Sequence, residues 1–367
     1  MKWRLALAMA VAIGVVFGGR VSTAGEKEKP APPKIEPVSA EEKQKLLDAE
    51  TPEQKALRKA LKASKGKIAF NANIDGTQRI YIMNPDGSDV KCLTPAPGPG
   101  GNYPHISPDG KKIVFDSSAT KEIINKLPCA EGYNKNYVKD GCAYVMDIAG
   151  GERKPVAAGG GCHWSWDGKR LIYAFDTMGR RGYGKTAILD LETNKETIIT
   201  PGNKMRPIHM PCFTPDNKLA LVSNGDALLI WLNESYNGPA ADAKSACVVR
   251  GHPCNLEVSA DGKWWSWVVD THGNYGAWLQ YAEARYDGQG VRGLNLNLGW
   301  PAGSVNYFPD FSPDGKYLVY VHADQQKGVK SWELQGKQEI YAATFPECKT
   351  TVRLTWSGAG NQHPHWR

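Results

Sequence analysis

The chain has 367 residues, with 45 lysines and arginines against 38 aspartates and glutamates, and a formal net charge of +7 at pH 7. This excess is small and forms no basic stripe, so the composition argues against a nucleic-acid-binding protein. The length would allow two domains, although closed all-β folds also reach this size as one domain.

Residues 1–25 have the pattern of a secretory signal peptide. Lys2 and Arg4 precede an apolar run from Leu5 to Phe17, and small residues follow up to Gly25. The apolar run is too short for the roughly 20 residues that a membrane-spanning helix needs. We therefore expect an exported protein, in the periplasm or an equivalent compartment, without a membrane span after signal removal.

Residues 26–65 are expected to form a linker and a helical leader. The stretch from Glu26 to Pro37 is rich in proline, lysine and glutamate, as in extended linkers. A capping box at Ser39 and a second helix start at Thr51 follow. The second start predicts a helix over about Pro52 to Ala63, which packs on the rest of the protein or on a partner. Its apolar stripe consists of Ala56, Leu57, Ala60 and Leu61.

From residue 66 to residue 367, one motif recurs: a short strand, a Ser-Pro-Asp-Gly type turn and an apolar strand. Proline presets φ, aspartate caps the turn and glycine tolerates a positive φ, so the tetrapeptide predicts a tight hairpin turn. Copies lie about 45 to 58 residues apart, as in the four-stranded blades of a β-propeller. The turns are Ser107–Gly110, Ser165–Gly168, Thr214–Asn217, Ser259–Gly262 and Ser312–Gly315.

A sixth blade is split between the two ends of the chain. Strands are predicted near Lys67, Ile80 and Val90, but no first strand precedes Lys67. Residues His363 to Arg367 match the first half of the motif and would supply that strand. The expected fold is therefore an all-β, six-bladed propeller closed by the C-terminal strand, with a short N-terminal helical leader. Closure removes the exposed sheet edges.

The repeat resembles that of the TolB-like propellers, a WD40-like family, over about 300 residues. The shared features are the Ser-Pro-Asp-Gly turn between strands and the downstream half of the unit, here Ile80–Gly87. The resemblance implies a binding module rather than an enzyme. It is more specific for fold than for function, because such propellers serve as periplasmic interaction modules, peptidase lids and subunits of larger complexes.

The whole-chain plan also resembles the propeller subunit of hydrazine synthase, a redox complex of anaerobic ammonium oxidisers. That resemblance implies a non-catalytic scaffold or gating subunit in the anammoxosome, with haem on the partner subunits. The sequence carries no haem-attachment motif of its own. Two alternatives stay open, a free-standing periplasmic protein-interaction module and a metal-dependent enzyme.

The second residue of each motif copy is the candidate site. Histidine and cysteine are ligands of zinc and other transition metals, but polar residues at this position also suit a water-filled channel. We expect only adjacent blades to come close enough to share an ion, which gives His105, His163 and His365 as metal candidates. In blade order the position reads His365, His105, His163, Cys212, Glu257 and Asp310.

Eight cysteines in an exported chain favour disulfides. Cys129 and Cys142 flank a polar loop that a bridge would pin. A connector from Ser245 to Asn255 predicts either a local Cys247–Cys254 disulfide or a contact with a partner's active site or redox centre. The residues expected to line this rim and contact a partner are Cys247, Arg250, His252, Cys254, Cys212, Glu257 and Asp310.

Overall fold

The computed structural model describes residues 37–74, 76–128, 141–176, 184–199, 210–223, 227–233, 245–249, 253–271, 274–283, 294–295, 305–323 and 338–367. The chain divides into two units, Met1–Lys34 and Ile35–Arg367, and the described residues all belong to the second. Within these ranges, every helix is too short or too polar to cross a membrane.

Two helices open the described part of the chain, α1 (Ala40–Asp48) and α2 (Pro52–Ala63). The predicted capping box is complete at the start of α2, whereas at the start of α1 the structure shows one of its two hydrogen bonds. The Ser39 hydroxyl accepts from the Glu42 amide at 3.1 Å, and Thr51 forms both hydrogen bonds of a capping box. Each cap satisfies backbone N–H groups that have no partner within the helix.

Helix α2 packs against the sheets through part of its predicted stripe. Leu57 and Leu61 are buried in an apolar cluster, whereas Ala56 is exposed. Arg58 donates to the Arg353 carbonyl at 3.0 Å, which adds a polar tie between the helix and the sheets. The helix therefore lies against the sheet-forming part of the chain.

The described residues form six four-stranded antiparallel sheets. The first contains β24 (Gln362–Trp366), β1 (Ile68–Ile74), β2 (Thr77–Met83) and β3 (Lys91–Cys92). The second contains β4 (Asn102–Ile106), β5 (Lys112–Ser117), β6 (Cys142–Asp147) and β7 (Lys154–Ala157), with helix α3 (Lys121–Lys126) between β5 and β6. The third contains β8 (Gly160–Trp164), β9 (Arg170–Asp176), β10 (Gly184–Asp190) and β11 (Lys195–Ile198).

The other three sheets repeat this order. The fourth contains β12 (Cys212–Phe213), β13 (Leu219–Ser223), β14 (Ala227–Trp231) and β15 (Ser245–Val249). The fifth contains β16 (Pro253–Val258), β17 (Trp264–Thr271), β18 (Asn274–Glu283) and β19 (Leu294–Asn295). The sixth contains β20 (Val305–Phe311), β21 (Tyr317–Ala323), β22 (Glu339–Thr344) and β23 (Thr351–Arg353).

The first sheet joins strands from distant parts of the sequence. Strand β24 pairs antiparallel with β1, with Trp366 opposite Ile68 and His365 opposite Ala69. One edge strand of each sheet contacts its counterparts in the neighbouring sheets: β24 contacts β4 and β20, and β4, β8, β12, β16 and β20 contact one another in sequence. We call these six the inner strands.

Buried apolar side chains lie between neighbouring sheets. Burying a side chain of this kind contributes about 1.5–3 kcal/mol each, so these clusters hold the sheets face to face. The clusters also fix the inner strands beside one another. Pairs that share a cluster are Phe70 with Tyr320, Ile80 with Phe115, Val114 with Tyr173, and Ile172 with Phe213.

The five turns have one hydrogen-bond pattern, as their shared sequence predicts. In each turn the first hydroxyl donates to the aspartate Oδ1 at 2.6–2.7 Å. The same oxygen accepts from the backbone amide of the following lysine at 3.0–3.2 Å. The fourth residue, which is Asn217 in one turn and glycine in the others, has φ between 59° and 70°.

Candidate functional site

The six candidate residues lie on the inner strands and are all buried. Each is at most 4 % exposed, so the expectation of a water-filled channel at this level is wrong. Their side chains pack against one another instead. We call them the axial residues, and they are His365, His105, His163, Cys212, Glu257 and Asp310.

A repeated backbone irregularity aims these side chains inward. In the second sheet, His105 lies opposite Val114 but Asn102 lies opposite Asp116, so the inner strand has one extra residue. The same bulge occurs in the first, third, fifth and sixth sheets. Bulges redirect side chains and are common beside functional sites. Two residues before each axial residue, φ lies between 49° and 64°, at Tyr103, Gly161, Met210, Asn255, Phe308 and His363.

Three axial imidazoles form a contiguous cluster. The ring centroids of His105 and His163 are 3.7 Å apart, and those of His105 and His365 are 4.4 Å apart. The Nδ1 atom of His365 accepts a hydrogen bond from the Ile106 amide at 3.1 Å. His365 is therefore fixed by the backbone of the neighbouring sheet.

Glu257 reaches this cluster from the fifth sheet. Its Oε1 lies 3.3 Å from Nε2 of His163 on the third sheet. His105, on the second sheet, also places a ring nitrogen within 4.8 Å of the other two ligand atoms. The expectation that only adjacent blades come close enough together does not hold for these atoms, because the Glu257 carboxylate on the fifth sheet lies near nitrogens on the second and third sheets. Whether they share an ion stays a prediction. Among the described residues, the side chains whose ligand atoms all lie within 4.8 Å of one another are His105, His163 and Glu257. The predicted candidate His365 is not in this group.

Burial sets the protonation of this trio. It lowers the pKa of His163 to about 3, with a further contribution from the Arg367 cation. Burial and the neighbouring His163 also hold the pKa of His105 well below its usual value. Burial and the nearby Asp310 raise the pKa of Glu257 well above its usual value. Both imidazoles are therefore neutral at pH 7, and each keeps a lone pair on one nitrogen.

Asp310, the other axial carboxylate, is held by the backbone. Its Oδ2 accepts from the Trp366 amide at 2.7 Å, and its Oδ1 accepts from the Phe311 amide at 2.8 Å. The Arg367 guanidinium lies 3.8 Å from Oδ1. Burial raises the pKa of Asp310, and the Arg367 cation opposes that shift. Asp310 thus links β24 to β20, whereas no backbone hydrogen bond to the Glu257 carboxylate is found among the described residues.

Depressions approach the axial residues at two places. The larger one is lined by His163, Glu257, Trp166 and Arg367, among others. The smaller one is lined by His105, Glu257 and several of the left-handed residues. Glu257 lines both depressions, His163 lines the larger one and His105 lines the smaller one.

The predicted cysteine chemistry is only partly within the described residues. Cys142 is a buried free thiol whose pKa is raised to about 11 by burial, so the structure does not support its predicted disulfide to Cys129, which lies outside those residues. Cys212 is also a free thiol, and burial raises its pKa well above the usual value. Both side chains are therefore protonated at neutral pH.

The predicted connector lies largely outside the described residues. Arg250 and His252 are not among them, and Cys247 and Cys254 are described only as backbone positions in β15 and β16. Their local disulfide and their partner contacts stay predictions.

Sequence analysis missed Trp166, Arg367 and the left-handed residues. Proline immediately precedes the axial residue in four copies, and proline inside a strand marks an edge or a bulge. These prolines were the sequence signal that could have indicated the bulges. The prolines are Pro104, Pro211, Pro309 and Pro364.

Solved structures share this arrangement of sheets. TolB from Acinetobacter baumannii superposes with a TM-score of 0.59 at 19% identity, covering 85% of this chain and 70% of that one. A TolB structure from Agrobacterium tumefaciens gives 0.52 at 16% identity, covering 83% and 98%. The chain has the fold of a TolB-like β-propeller. At these identities the TolB-like propellers inform the fold alone.

More distant similarities add little about function. No protein-family model matches the chain. Tricorn protease homolog 1 of Streptomyces coelicolor is 23% identical over 297 residues, which is 70% of this chain and 26% of that protein. The chain thus spans about a quarter of the length of this curated relative. Hydrazine synthase of Kuenenia stuttgartiensis gives a TM-score of 0.42 at 15% identity, covering 69% and 65%, which is too low to support the predicted link.

Proposed function

We propose that the chain is a non-catalytic β-propeller interaction module of an exported protein assembly. In this proposal the six sheets are the blades of one ring, and β24 closes it. The TolB-like fold supports the general assignment. The observation that carries it is the larger depression, which presents an aromatic and cationic pair to a partner.

Trp166 and Arg367 form this pair. The Arg367 guanidinium carbon lies 4.7 Å from the centre of the Trp166 ring. The ring is held in place because its Nε1 donates to the Phe213 carbonyl at 3.1 Å, and its backbone amide donates to Asn217 Oδ1 at 2.8 Å. Tryptophan and arginine in a pocket are typical binding hot spots, and a pre-organised side chain loses little entropy on binding. A partner segment carrying a carboxylate or carbonyl would suit the cation.

The test is purification of the tagged chain from its native source, comparing wild type with Trp166→Ala. A stoichiometric partner should co-purify with wild type and fall at least about tenfold in the variant, since hot-spot truncations cost at least about 2 kcal/mol. Trp356→Ala is the matched control. Trp356 is also half-buried and also lies under an arginine, Arg353, at 4.4 Å, but it does not line the depression.

Equal partner yields from the two variants would contradict an interface at Trp166. Circular dichroism of both variants checks that each is folded. A chain that elutes from native extracts as a monomer, with no partner, would contradict membership of an assembly and favour the free-standing interaction module.

The narrower assignment is a scaffold or gating subunit of a redox complex, such as hydrazine synthase. Its support is the sequence plan, a signal-like segment and a helical leader before a TolB-like propeller. Haem would then belong to companion subunits. The expected result is that haem absorbance co-elutes with this chain at high mass. Immunodepletion of the chain should remove that absorbance.

A further inference from the structure

Two imidazoles and one carboxylate at the axis have their ligand atoms turned toward one another. We propose that this trio binds a divalent transition-metal ion, with His105, His163 and Glu257 as ligands. The three side chains come from the second, third and fifth sheets, so the ion would link the sheets across the axis.

The polar atoms of the trio are poorly satisfied by the protein. Nδ1 of His105 and Nε2 of His163 are buried and have no hydrogen-bond partner among the described residues. Glu257 Oε1 is only 3.3 Å from Nε2 of His163, but the contact is not aligned as a hydrogen bond. A buried polar atom without a partner is unfavourable. A cation at the centre would satisfy all three groups at once.

The donor set matches that of known metal sites. Two imidazoles with one glutamate bind catalytic zinc, and two imidazoles with one carboxylate in a facial arrangement bind non-haem iron(II). Such sites keep at least one coordination position open. His163 and Glu257 line the larger depression, which would give an additional ligand a route to the ion. The adjacent positive ion would also favour the ionised form of the buried Glu257.

The spacing is close to that of a metal site. Bonds of about 2.0–2.1 Å place tetrahedral ligands about 3.4 Å apart. The His163–Glu257 pair is already at 3.3 Å. The ligand atoms of all three residues lie within 4.8 Å of one another, so the His105 nitrogen would have to move closer to the other two on metal binding.

The neighbouring axial side chains are less suitable ligands. His365 already uses Nδ1 to accept from the Ile106 amide. Cys212 does not belong to the group of ligand atoms that lie within 4.8 Å of one another among the described residues. Asp310 uses both oxygens to accept from backbone amides. Among the described residues, the trio is therefore the set whose ligand atoms lie close to one another.

The experiment uses untagged full chain, stripped with a chelator and titrated with Zn²⁺ and with Co²⁺. We expect one equivalent of metal ion to bind per chain. Calorimetry measures the binding, and elemental analysis measures the metal content. The bound Co²⁺ should show ligand-field bands of a nitrogen and oxygen site without a thiolate charge-transfer band. Glu257→Gln and His163→Gln should each weaken binding at least about tenfold, because each removes a direct ligand.

His363→Gln is the matched control for buried histidine. His363 is buried, two residues from an axial position, and its Nδ1 lies 2.9 Å from Oδ1 of Asn71. It lies outside the trio, so its variant should keep the wild-type affinity. Equal loss in His363→Gln and His163→Gln would overturn the assignment, since it would indicate a general effect on the fold.

Two results with the wild-type chain would also overturn the proposal. One is the absence of saturable binding for both Zn²⁺ and Co²⁺. The other is a thiolate band, because it would place Cys212 in the ligand set instead of Glu257. X-ray absorption of the zinc-loaded wild type gives the ligand types directly, so the proposal remains testable if a substituted chain does not fold. Nitrogen and oxygen ligands alone are expected, and a sulfur shell would contradict the trio.

Discussion

The five turns and the axial residues belong to the same repeat, but different features recur in them. At the turns, side-chain identity is kept: hydroxyl, aspartate and a residue with positive φ make the same hydrogen bonds each time. At the axis, backbone geometry is kept, with a left-handed residue two positions before each axial residue. The side chains there change from imidazole to thiol to carboxylate. Repetition thus maintains the fold at the turns, whereas variation at the axis can carry chemistry.

Among the substitutions considered near the axial residues, we expect Trp366→Ala to lower the free energy of unfolding most. Trp366 is fully buried on β24, stacks on Tyr317 at 6.0 Å and donates through Nε1 to the Lys65 carbonyl at 3.1 Å. Truncating a buried tryptophan costs about 3–5 kcal/mol. Urea denaturation should show this loss in the free energy of unfolding.

Trp356→Ala is the control for Trp366→Ala, because Trp356 is only half-buried and stacks on Arg353. Its cost should stay below about 1 kcal/mol, as for most substitutions away from the core. Similar losses in both variants would contradict a special role of β24 in holding the first sheet together.

The turns could be predicted from sequence because their contacts are local. Ser107, Asp109 and Lys111 bond to one another within five residues, so the tetrapeptide alone is sufficient. The same holds for α2, whose cap at Thr51 and whose bounds were expected. Such segments can be predicted from sequence without knowing the fold, because their side-chain to backbone hydrogen bonds join residues close in sequence.

The axis could be predicted only in part. The order of the axial residues followed from their fixed distance to the turn. Their burial did not, because it depends on bulges in several strands at once. The contact of His163 with Glu257 joins residues on non-adjacent sheets, and only the three-dimensional spacing reveals it. The left-handed conformation of Tyr103 and Phe308 has no signal in those residue types, since glycine or asparagine is usual there.

Two glycines allow the axis and the turns to be compared directly. Gly161 precedes an axial residue at φ 64°, and Gly168 ends a turn at φ 70°. A Cβ on Gly161 would lie 3.3 Å from the Met210 backbone nitrogen, whereas a Cβ on Gly168 would meet nothing within 4 Å. Left-handed strain of about 1–2 kcal/mol applies to alanine at both positions.

We therefore expect Gly161→Ala to destabilise the chain more than Gly168→Ala, with the excess reporting the approach to Met210. Thermal and urea denaturation of the two variants provide the measurement. An equal loss would mean that the inner strand can shift away from its neighbour, and that the axis is less tightly packed than its burial indicates.

The smallest expected effects concern the turns, where two copies should respond alike. Asp109 and Asp261 accept from the serine hydroxyl at 2.6 and 2.7 Å and from a lysine amide at 3.1 and 3.0 Å. Replacing either by alanine removes a capping acceptor, which costs about 1 kcal/mol. Urea denaturation at pH 7 should give equal losses within about 0.5 kcal/mol, because the contacts are equivalent and far apart.

The Asp109→Ala loss should also depend on pH. The Ser107 hydroxyl and the Lys111 amide lower the pKa of Asp109 below its ordinary value of 3.8. A carboxyl whose folded pKa is depressed stabilises the fold above its unfolded pKa, and this contribution is lost as pH falls through the folded pKa. The difference between wild type and Asp109→Ala should therefore be full at pH 7 and shrink as the pH falls below the ordinary value of 3.8 and through the lowered pKa of the folded state. A difference that stays constant across this range would assign the effect to backbone preference at the turn rather than to the charged acceptor.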